Sequence, residues 1–275
     1  MNVLHERMIA GEFLPGIYDV YSNREYHAAE GVSKSDLDLI HKSPAHLKGA
    51  QRTETPAMRL GTAFHCATLE PDRFKDSFIV IEGDRRTKAV KEEIKNAEES
   101  GFTVLNADEM DTVQAMSAAV YETKIGAALL KSALKEHSVF SEIDGVRVKC
   151  RPDGWDEARK VIFDLKSTED ASPEAFARSV ARYRYHVQDA FYRHVVSEAT
   201  GTPADDYSFI FIAVEKAPPY AVAFYQLDEM AALQGWVEAR SDLRRYRDAL
   251  ESNKWNGYSP KIETLSLPRW AVITE

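Results

Sequence analysis

Apolar and polar residues follow two different periods along this chain, and the change from one to the other falls near its middle. In the first half, apolar residues recur at the three- and four-residue spacing of a helix, as in residues 57–69. The same criterion predicts helices over residues 31–40, 85–100 and 107–131, the last with a break near Gly126. Residues 1–135 are therefore expected to form a mainly helical N-terminal part.

From residue 136 onward, apolar and polar residues alternate one by one, which is typical of half-buried strands. Residues 138–143 and 146–151 flank the dipeptide Asp144-Gly145, which predicts a hairpin with a two-residue turn. A third strand is predicted over 160–167, after a loop at 152–159. The remaining predicted elements are a helix over 173–200, strands over 208–214 and 221–227, and a helix over 229–252.

This order of elements predicts an α/β (α+β) fold, in which helices flank a central mixed β-sheet and further helices precede it. The sheet and its flanking helices would occupy residues 136–275. No internal repeat and no Gly/Ser-rich linker divides the chain, so we expect residues 1–275 to form a single domain.

The composition excludes several classes of protein. No run of 18 apolar residues is present, so no membrane-spanning helix is expected, and the first 20 residues lack the apolar core of a secretion signal. The only two cysteines, Cys66 and Cys150, are too few for a disulfide framework, a four-cysteine zinc site or an iron–sulfur cluster. We therefore expect a cytoplasmic protein with reduced cysteines.

The formal net charge of −9 argues against a broad basic surface that coats nucleic acid. Basic residues are nevertheless concentrated, with Tyr183 and Tyr185 among them, in the 17 residues from 178 to 194. Four arginines of this segment are candidate DNA contacts, namely Arg178, Arg182, Arg184 and Arg193. The alternative is that they belong to an ordinary solvated face.

The candidate chemistry lies in the third predicted strand. Because side chains alternate between the faces of a strand, Ile162, Asp164 and Lys166 share one face. Asp153 ends the preceding strand, and neighbouring antiparallel strands would bring it close to Asp164. Two carboxylates of this kind bind Mg²⁺ or Mn²⁺, and a lysine beside them suits phosphodiester hydrolysis. Taken alone, Asp-Leu-Lys is a short pattern that also fits ordinary strand residues facing solvent.

Several short strings occur together and in a definite order. The central ones are Gly61-Thr-Ala-Phe-His65, Arg151-Pro-Asp153, Asp164-Leu-Lys166 and Gln188-Asp-Ala-Phe-Tyr192. The others are Tyr26-His-Ala, Ser33-Lys-Ser35, Tyr183-Arg-Tyr-His-Val-Gln188 and residues 265–270. In this order the chain resembles the PD-(D/E)XK nuclease superfamily, and within its RecB-like branch the RecE-like exonucleases of the exonuclease VIII type. The resemblance extends from about residue 26 to residue 271 and implies a restriction-endonuclease-like core.

The resemblance implies specific roles for the matching residues. Asp153 and Asp164 would bind the metal ion, together with the main-chain carbonyl of Leu165. His65 would complete the metal site from the early helix, and Lys166 would act on the attacking water. An isolated histidine in such an apolar setting would otherwise be interpreted as a core residue.

Further site residues are expected on the helix that follows. Gln188 and Tyr192 are four residues apart and share one helical face, which the resemblance places beside the scissile phosphate. Without the resemblance, Gln188 would simply face water. Gly61 lies one turn before His65 and leaves space on that face. Glu136, just before the first strand, is a candidate auxiliary acid or else a surface glutamate.

The resemblance implies a 5′→3′ exonuclease that digests linear double-stranded DNA to 5′-mononucleotides and leaves 3′ single strands. It further implies Mg²⁺ or Mn²⁺ as the cofactor, a homo-oligomeric ring (a tetramer) and a RecT-like single-strand annealing protein as the partner in recombination. Such enzymes are often encoded by phages. Two alternatives remain open: an endonuclease of restriction or structure-specific type, and a non-catalytic DNA-binding module on the same fold.

Overall fold

The computed structural model describes residues 3–8, 12–51, 55–268 and 271. Its first half contains short strands, which are β1 (Val3–Leu4), β2 (Gly16–Tyr18), β3 (Phe78–Val80) and β4 (Thr103–Leu105). Helices occupy most of this half, in the order α1 (Asn23–Ala28), α2 (Lys34–Lys42), α3 (Pro44–Lys48), α4 (Pro56–Leu69), α5 (Pro71–Ser77), α6 (Lys88–Glu99), α7 (Ala107–Glu122) and α8 (Lys124–Ser132).

The second half contains the longer strands and the longest helix. Its strands are β5 (Leu134–Lys135), β6 (Ser138–Ile143), β7 (Val146–Cys150), β8 (Gly154–Asp156), β9 (Val161–Thr168), β10 (Ser208–Glu215) and β11 (Val222–Tyr225). Its helices are α9 (Pro173–Arg182), α10 (Tyr185–Thr200) and α11 (Glu229–Ser252). In the part of the chain that the structure describes, no helix is long and apolar enough to cross a membrane.

The predicted mixed sheet is confirmed. It has five strands in the order β11-β10-β9-β8-β5, with β9 and β10 parallel and the other neighbours antiparallel. The expected continuous meander of three strands is wrong, because the hairpin of β6 and β7 belongs to a second sheet, ordered β1-β2-β6-β7. The chain leaves that sheet after Cys150 and enters the five-stranded sheet as β8, within the segment predicted to be a loop.

Strand β8 pairs closely with β9 because its first residue has no side chain. Gly154 lies opposite Phe163, and a Cβ atom at Gly154 would be only 2.0 Å from the Phe163 ring. The ring therefore fills the space that a side chain would need. A three-residue strand that begins with glycine has no alternating pattern, which explains why its sequence indicated a loop.

The predicted alternation of side chains in β9 is confirmed. Ile162 packs into a core with Phe191 of α10, whereas Phe163 and Leu165 pack on the other face with Phe64 of α4. Both faces of the sheet are therefore covered by helices. The face that carries Asp164 is buried as well, because helix α10 covers that side and α11 packs on α10.

Two of the predicted helix boundaries shift. The single helix expected over 173–200 is divided into α9 and α10, because Arg184 adopts a left-handed backbone conformation with φ of 54°. The break expected near Gly126 falls at Thr123, whose hydroxyl accepts a hydrogen bond from the Gly126 amide at 3.0 Å and caps α8. Near the N-terminus, the Ser33 amide donates to the Asp36 carboxylate at 2.9 Å and starts α2, as the sequence indicated.

Candidate active site

Strands β8 and β9 bring two carboxylates together. Asp153 immediately precedes β8, and its Oδ2 atom accepts a hydrogen bond from the main-chain amide of Leu165 at 2.6 Å. Asp164 lies on the neighbouring strand, one residue earlier than Leu165. Asp153 and Asp164 are only 7% and 4% exposed, so both acids lie in the protein interior. The predicted proximity is thus found, although β8 provides it and the hairpin strand β7 does not.

Two polar side chains contact the Asp164 carboxylate. Lys166 forms an ion pair with its Oδ2 atom, and the side-chain amide of Gln188 donates a hydrogen bond to its Oδ1 atom. The Lys166 ammonium also lies 4.6 Å from the centre of the Tyr185 ring. Tyr185 and Gln188 come from α10, so this helix contacts both Lys166 and the Asp164 carboxylate that pairs with it.

Helix α4 contributes His65 from the opposite side. The Nδ1 atom of His65 lies 3.2 Å from Oδ2 of Asp153. Burial disfavours the protonated imidazole, but the Asp153 carboxylate outweighs this effect and raises the pKa of His65 to about 9. Gly61, one turn earlier, leaves the helix surface open, since a Cβ atom there would meet only Ser167 Oγ at 3.9 Å.

Glu136 completes this group of acids. It lies between β5 and β6 with a left-handed backbone (φ of 55°), and its Oε2 atom accepts a hydrogen bond from Nε of Arg151 at 2.5 Å. His65, Glu136 and Asp153 each offer one ligand atom, and these atoms all lie within 4.8 Å of one another. Among the described residues, Asp164 does not belong to that group.

The donor set suits a hard divalent cation. Carboxylate oxygens, a main-chain carbonyl and one imidazole are ligands of the kind that Mg²⁺ and Mn²⁺ accept. Asp164 Oδ2 is buried and accepts no hydrogen bond of regular geometry from the described residues, and only the Lys166 ammonium faces it. Asp153, Asp164, the Leu165 carbonyl and His65 therefore fit the metal-binding role expected of them.

Burial and charge act in opposite directions on the two acids. Burial raises the pKa of Asp164, and the Lys166 ammonium offsets this only in part. Burial also acts on Asp153, but the neighbouring His65 outweighs it and lowers the pKa of Asp153. In the protein alone, the cationic side chains of His65 and Lys166 thus compensate the negative charge of Asp153 and Asp164. A bound divalent ion would compensate that charge more strongly.

These residues line a single cavity of about 760 Å³. Its walls include the candidate site residues His65, Glu136, Asp153, Asp164, Lys166, Gln188 and Tyr192. Further along, α1 contributes Tyr26 and His27, and α5 contributes Arg73. Tyr192 is buried against the sheet and lines the cavity four residues after Gln188, as the shared helical face required.

Two of the four arginines expected to bind DNA lie on the surface. Arg178 and Arg182 are exposed residues of α9, and the Arg182 guanidinium lies 5.4 Å from the centre of the Tyr183 ring. Helix α9 ends at Arg182, and Tyr185, three residues later, lies beside Lys166 of the cavity. These two side chains are free to contact a phosphate backbone near the site.

The other two arginines are engaged inside the protein. Arg184 forms ion pairs with Asp38 at 3.1 Å, Glu238 at 3.1 Å and Asp242 at 2.6 Å, and so connects α2 to α11. Arg193 is buried and bonded to Asp189 at 2.5 Å. The expectation that Arg184 and Arg193 contact DNA is therefore wrong, because their guanidinium groups form ion pairs with acids inside the protein.

Sequence reasoning missed two residues of this site. Tyr185 supplies the ring beside Lys166, and Arg151 holds Glu136 in place. Tyr185 belongs to the matching string that ends at Gln188, and Arg151 to the one that ends at Asp153. Membership of these strings was the signal by which both residues could have been found. The last string, residues 265–270, ends at Arg269 and Trp270, which lie outside the described residues.

Comparisons with known proteins bear on the fold. Residues 33–268 match the model of a family described as "PDDEXK-like domain of unknown function (DUF3799)". A structure of a candidate exonuclease from Eubacterium rectale is similar at a TM-score of 0.62 and 13% identity, over 90% of this chain and 95% of that chain. No curated protein matches the chain.

A phage-related exonuclease from Haemophilus somnus is also similar, at 15% identity over 83% of this chain and 98% of that chain. Its TM-score of 0.35 is too low to support an argument about the fold. The family match, by contrast, covers most of the chain and includes every residue of the cavity from His65 to Tyr192. The chain therefore belongs to the PDDEXK-like family and has the nuclease-type fold of PD-(D/E)XK enzymes.

Proposed function

We propose that this protein is a metal-dependent 5′→3′ exodeoxyribonuclease, which digests linear double-stranded DNA to 5′-mononucleotides and leaves 3′ single strands. The observation that carries the proposal is the convergence of Asp153, Asp164 and Lys166 on one cavity, with His65 and Gln188 beside them. The direction of digestion and the product come from the RecE-like resemblance of the sequence.

The cofactor of this reaction would be Mg²⁺ or Mn²⁺. Asp153, Asp164, the Leu165 carbonyl and His65 are the groups that would hold it. When bound, such an ion supplies Lewis-acid stabilisation of the negative charge that develops on a phosphodiester.

The chain itself supplies orientation and charge. Lys166 is held between the Asp164 carboxylate and the Tyr185 ring, so its ammonium has a defined position in the cavity. From that position it can orient an attacking water and neutralise charge on the phosphate. Gln188 holds the Asp164 carboxylate from the other side and keeps its orientation fixed.

The DNA would approach past α9. The exposed Arg178 and Arg182 lie on this helix, whereas the chain as a whole is acidic, with a net charge of −9. A local cationic surface on an acidic protein directs a polyanion to one place and repels it elsewhere. The RecE-like resemblance further supports a homo-oligomeric ring of four chains and cooperation with a RecT-like annealing protein in recombination.

The test compares three substrates: a linear duplex labelled at the 5′ ends, the same duplex labelled at the 3′ ends, and covalently closed circular DNA. With Mg²⁺ we expect early release of the 5′ label as a mononucleotide, late release of the 3′ label, and an intact circle. EDTA should stop all digestion. Cleavage of the closed circle would replace the proposal with an endonuclease, and early release of the 3′ label would reverse the polarity.

A pair of lysine variants provides the control for contamination and for misfolding. Lys166→Met should abolish digestion, whereas Lys124→Met, which changes an exposed lysine of α8 outside the cavity, should leave the rate unchanged. Binding of DNA without digestion by the wild-type protein, under every metal condition, would instead support the non-catalytic module.

A further inference from the structure

We propose that Lys34 of helix α2 is a positioning residue for Lys166, and that it acts through Tyr185, whose ring lies close to both ammonium groups. The inference rests on the proposed function, because that function makes Lys166 the residue that orients the attacking water. It adds a role that the RecE-like resemblance does not imply.

Helices α9 and α10 meet at a tight corner immediately before Tyr185. Helix α9 ends at Arg182, and α10 begins at Tyr185 without a hydrogen bond from a capping side chain. The residue between them that precedes α10, Arg184, has a left-handed backbone with φ of 54°, which is unfavourable for a residue with a Cβ atom. The direction in which α10 begins, and with it the position of the Tyr185 ring, therefore depends on contacts from other elements.

Helix α2 provides these contacts. The Lys34 ammonium donates to the Tyr183 carbonyl at 2.7 Å and pairs with Asp38 at 2.7 Å. The same Asp38 carboxylate pairs with the Arg184 guanidinium at 3.1 Å. That guanidinium also donates to the Leu37 carbonyl at 3.4 Å. Both residues of the corner, Tyr183 and Arg184, are thus bonded to the first half of α2.

The Lys34 ammonium also reaches the ring that contacts Lys166. Its Nζ atom lies 5.9 Å from the centre of the Tyr185 ring, and Nζ of Lys166 lies 4.6 Å from the same centre. The Lys34 side chain is only 14% exposed and is not one of the described residues that line the active-site cavity. It is therefore placed to act on Lys166 through the ring and not on the substrate.

A purely structural connection between α2 and the corner does not require Lys34, because Arg184 already provides one. Lys34 adds a bond two residues before Tyr185 and a cation at its ring, although burial lowers the pKa of the Lys34 ammonium and Asp38 offsets this only in part. A cation suits both the carbonyl end of α9 and the electron-rich face of an aromatic ring. The second of these contacts bears directly on the ring that Lys166 faces.

The test is steady-state digestion of a linear duplex by Lys34→Met, with Lys42→Met as the matched control. Lys42 is an exposed lysine at the other end of α2, and its substitution should leave the kinetics unchanged. Lys34→Met should lower kcat about 5- to 10-fold with KM unchanged, because the Tyr185 ring shifts but is still supported by Phe211, whose ring centre is 5.7 Å away. Lys34→Arg, which can still donate to the Tyr183 carbonyl, should recover most of the lost kcat.

A double variant tests whether the effect passes through the ring. If it does, Lys34→Met combined with Tyr185→Leu should lower kcat no further than Tyr185→Leu alone. Losses that multiply in the double variant would overturn the inference. The Kd for the duplex without divalent metal, measured by fluorescence anisotropy, should be the same for the wild type and Lys34→Met. A weaker Kd would make Lys34 a DNA contact and would likewise overturn its role as a positioning residue.

The outcomes distinguish this inference from the proposed function. If the wild type digests DNA and Lys34→Met has the same kcat, only the inference fails. If the wild type digests no DNA, the proposed function fails and the inference fails with it. Circular dichroism and urea unfolding establish that each variant is folded. If Lys34→Met does not fold, Lys34→Gln, which keeps a donor but not the charge, replaces it, and a wild-type kcat for that variant would contradict the inference.

Discussion

The close contact between Gly154 and Phe163 makes a quantitative prediction about Gly154→Ala. A methyl group there would lie 2.0–2.6 Å from three atoms of the Phe163 ring, which is fully buried and bounded by α4. The ring has no space to retreat into, so β8 must move away from β9. Overpacking of this severity costs about 3 kcal/mol, the upper part of the usual range. For a chain of this size that is roughly 6–9 °C in melting temperature.

The contact also predicts a specific rescue. Phe163→Leu alone removes part of a buried ring and should cost about 1–2 kcal/mol. In the double variant, the shorter side chain gives the Gly154→Ala methyl group the space that it lacks. The double variant should therefore be more stable than the sum of the single effects indicates, by about 1–2 kcal/mol.

The assay is urea unfolding of the four proteins, followed by tryptophan fluorescence, with digestion of a linear duplex measured in parallel. Because Asp153 immediately precedes β8, a displaced strand also displaces a proposed metal ligand. Gly154→Ala should therefore lose digestion even at temperatures where it remains folded, and Phe163→Leu should restore part of it. An unchanged unfolding midpoint for Gly154→Ala, or strictly additive effects in the double variant, would refute this account of how β8 is positioned.

Three further predictions follow from the site. Asp164→Asn should abolish digestion and lower the melting temperature in EDTA, because the substitution leaves the largely buried Lys166 ammonium without its carboxylate partner. Tyr185→Phe should keep the wild-type kcat, since the hydroxyl has no hydrogen-bond partner among the described residues. Tyr185→Leu removes the ring that contacts the Lys166 ammonium. This contact is worth about 1–2 kcal/mol, so kcat should fall roughly 5- to 30-fold. Arg182→Ala should weaken DNA binding and flatten its dependence on salt without changing stability, as measured by a salt titration. Arg184→Ala should instead lower the free energy of unfolding in urea by about 3 kcal/mol, because the buried Asp242 loses its guanidinium partner and keeps only the His41 ring.

Local patterns in the sequence were sufficient for most elements of the second half. The Asp144-Gly145 turn and its flanking alternation identified β6 and β7, and the alternation in β9 identified which face carries Asp164. These features depend on residues within a few positions of one another, so the sequence by itself determines them. The order of the matching strings likewise identified the acids and the lysine as candidates before any contact was known.

Tertiary structure decided which distant segments meet. Nothing local indicates that the chain changes sheets after β7, because the pairing of β8 depends on the Phe163 ring of another strand. His65 and Asp153 are 88 positions apart, and their contact exists only because α4 packs on the sheet. Likewise, the sequence does not tell whether an arginine binds a phosphate or pairs with a buried carboxylate. The packing of α2 and α11 against α10 assigned Arg184 to the second use, because it buried Asp242 at 2.6 Å from that guanidinium and 3.2 Å from the His41 ring.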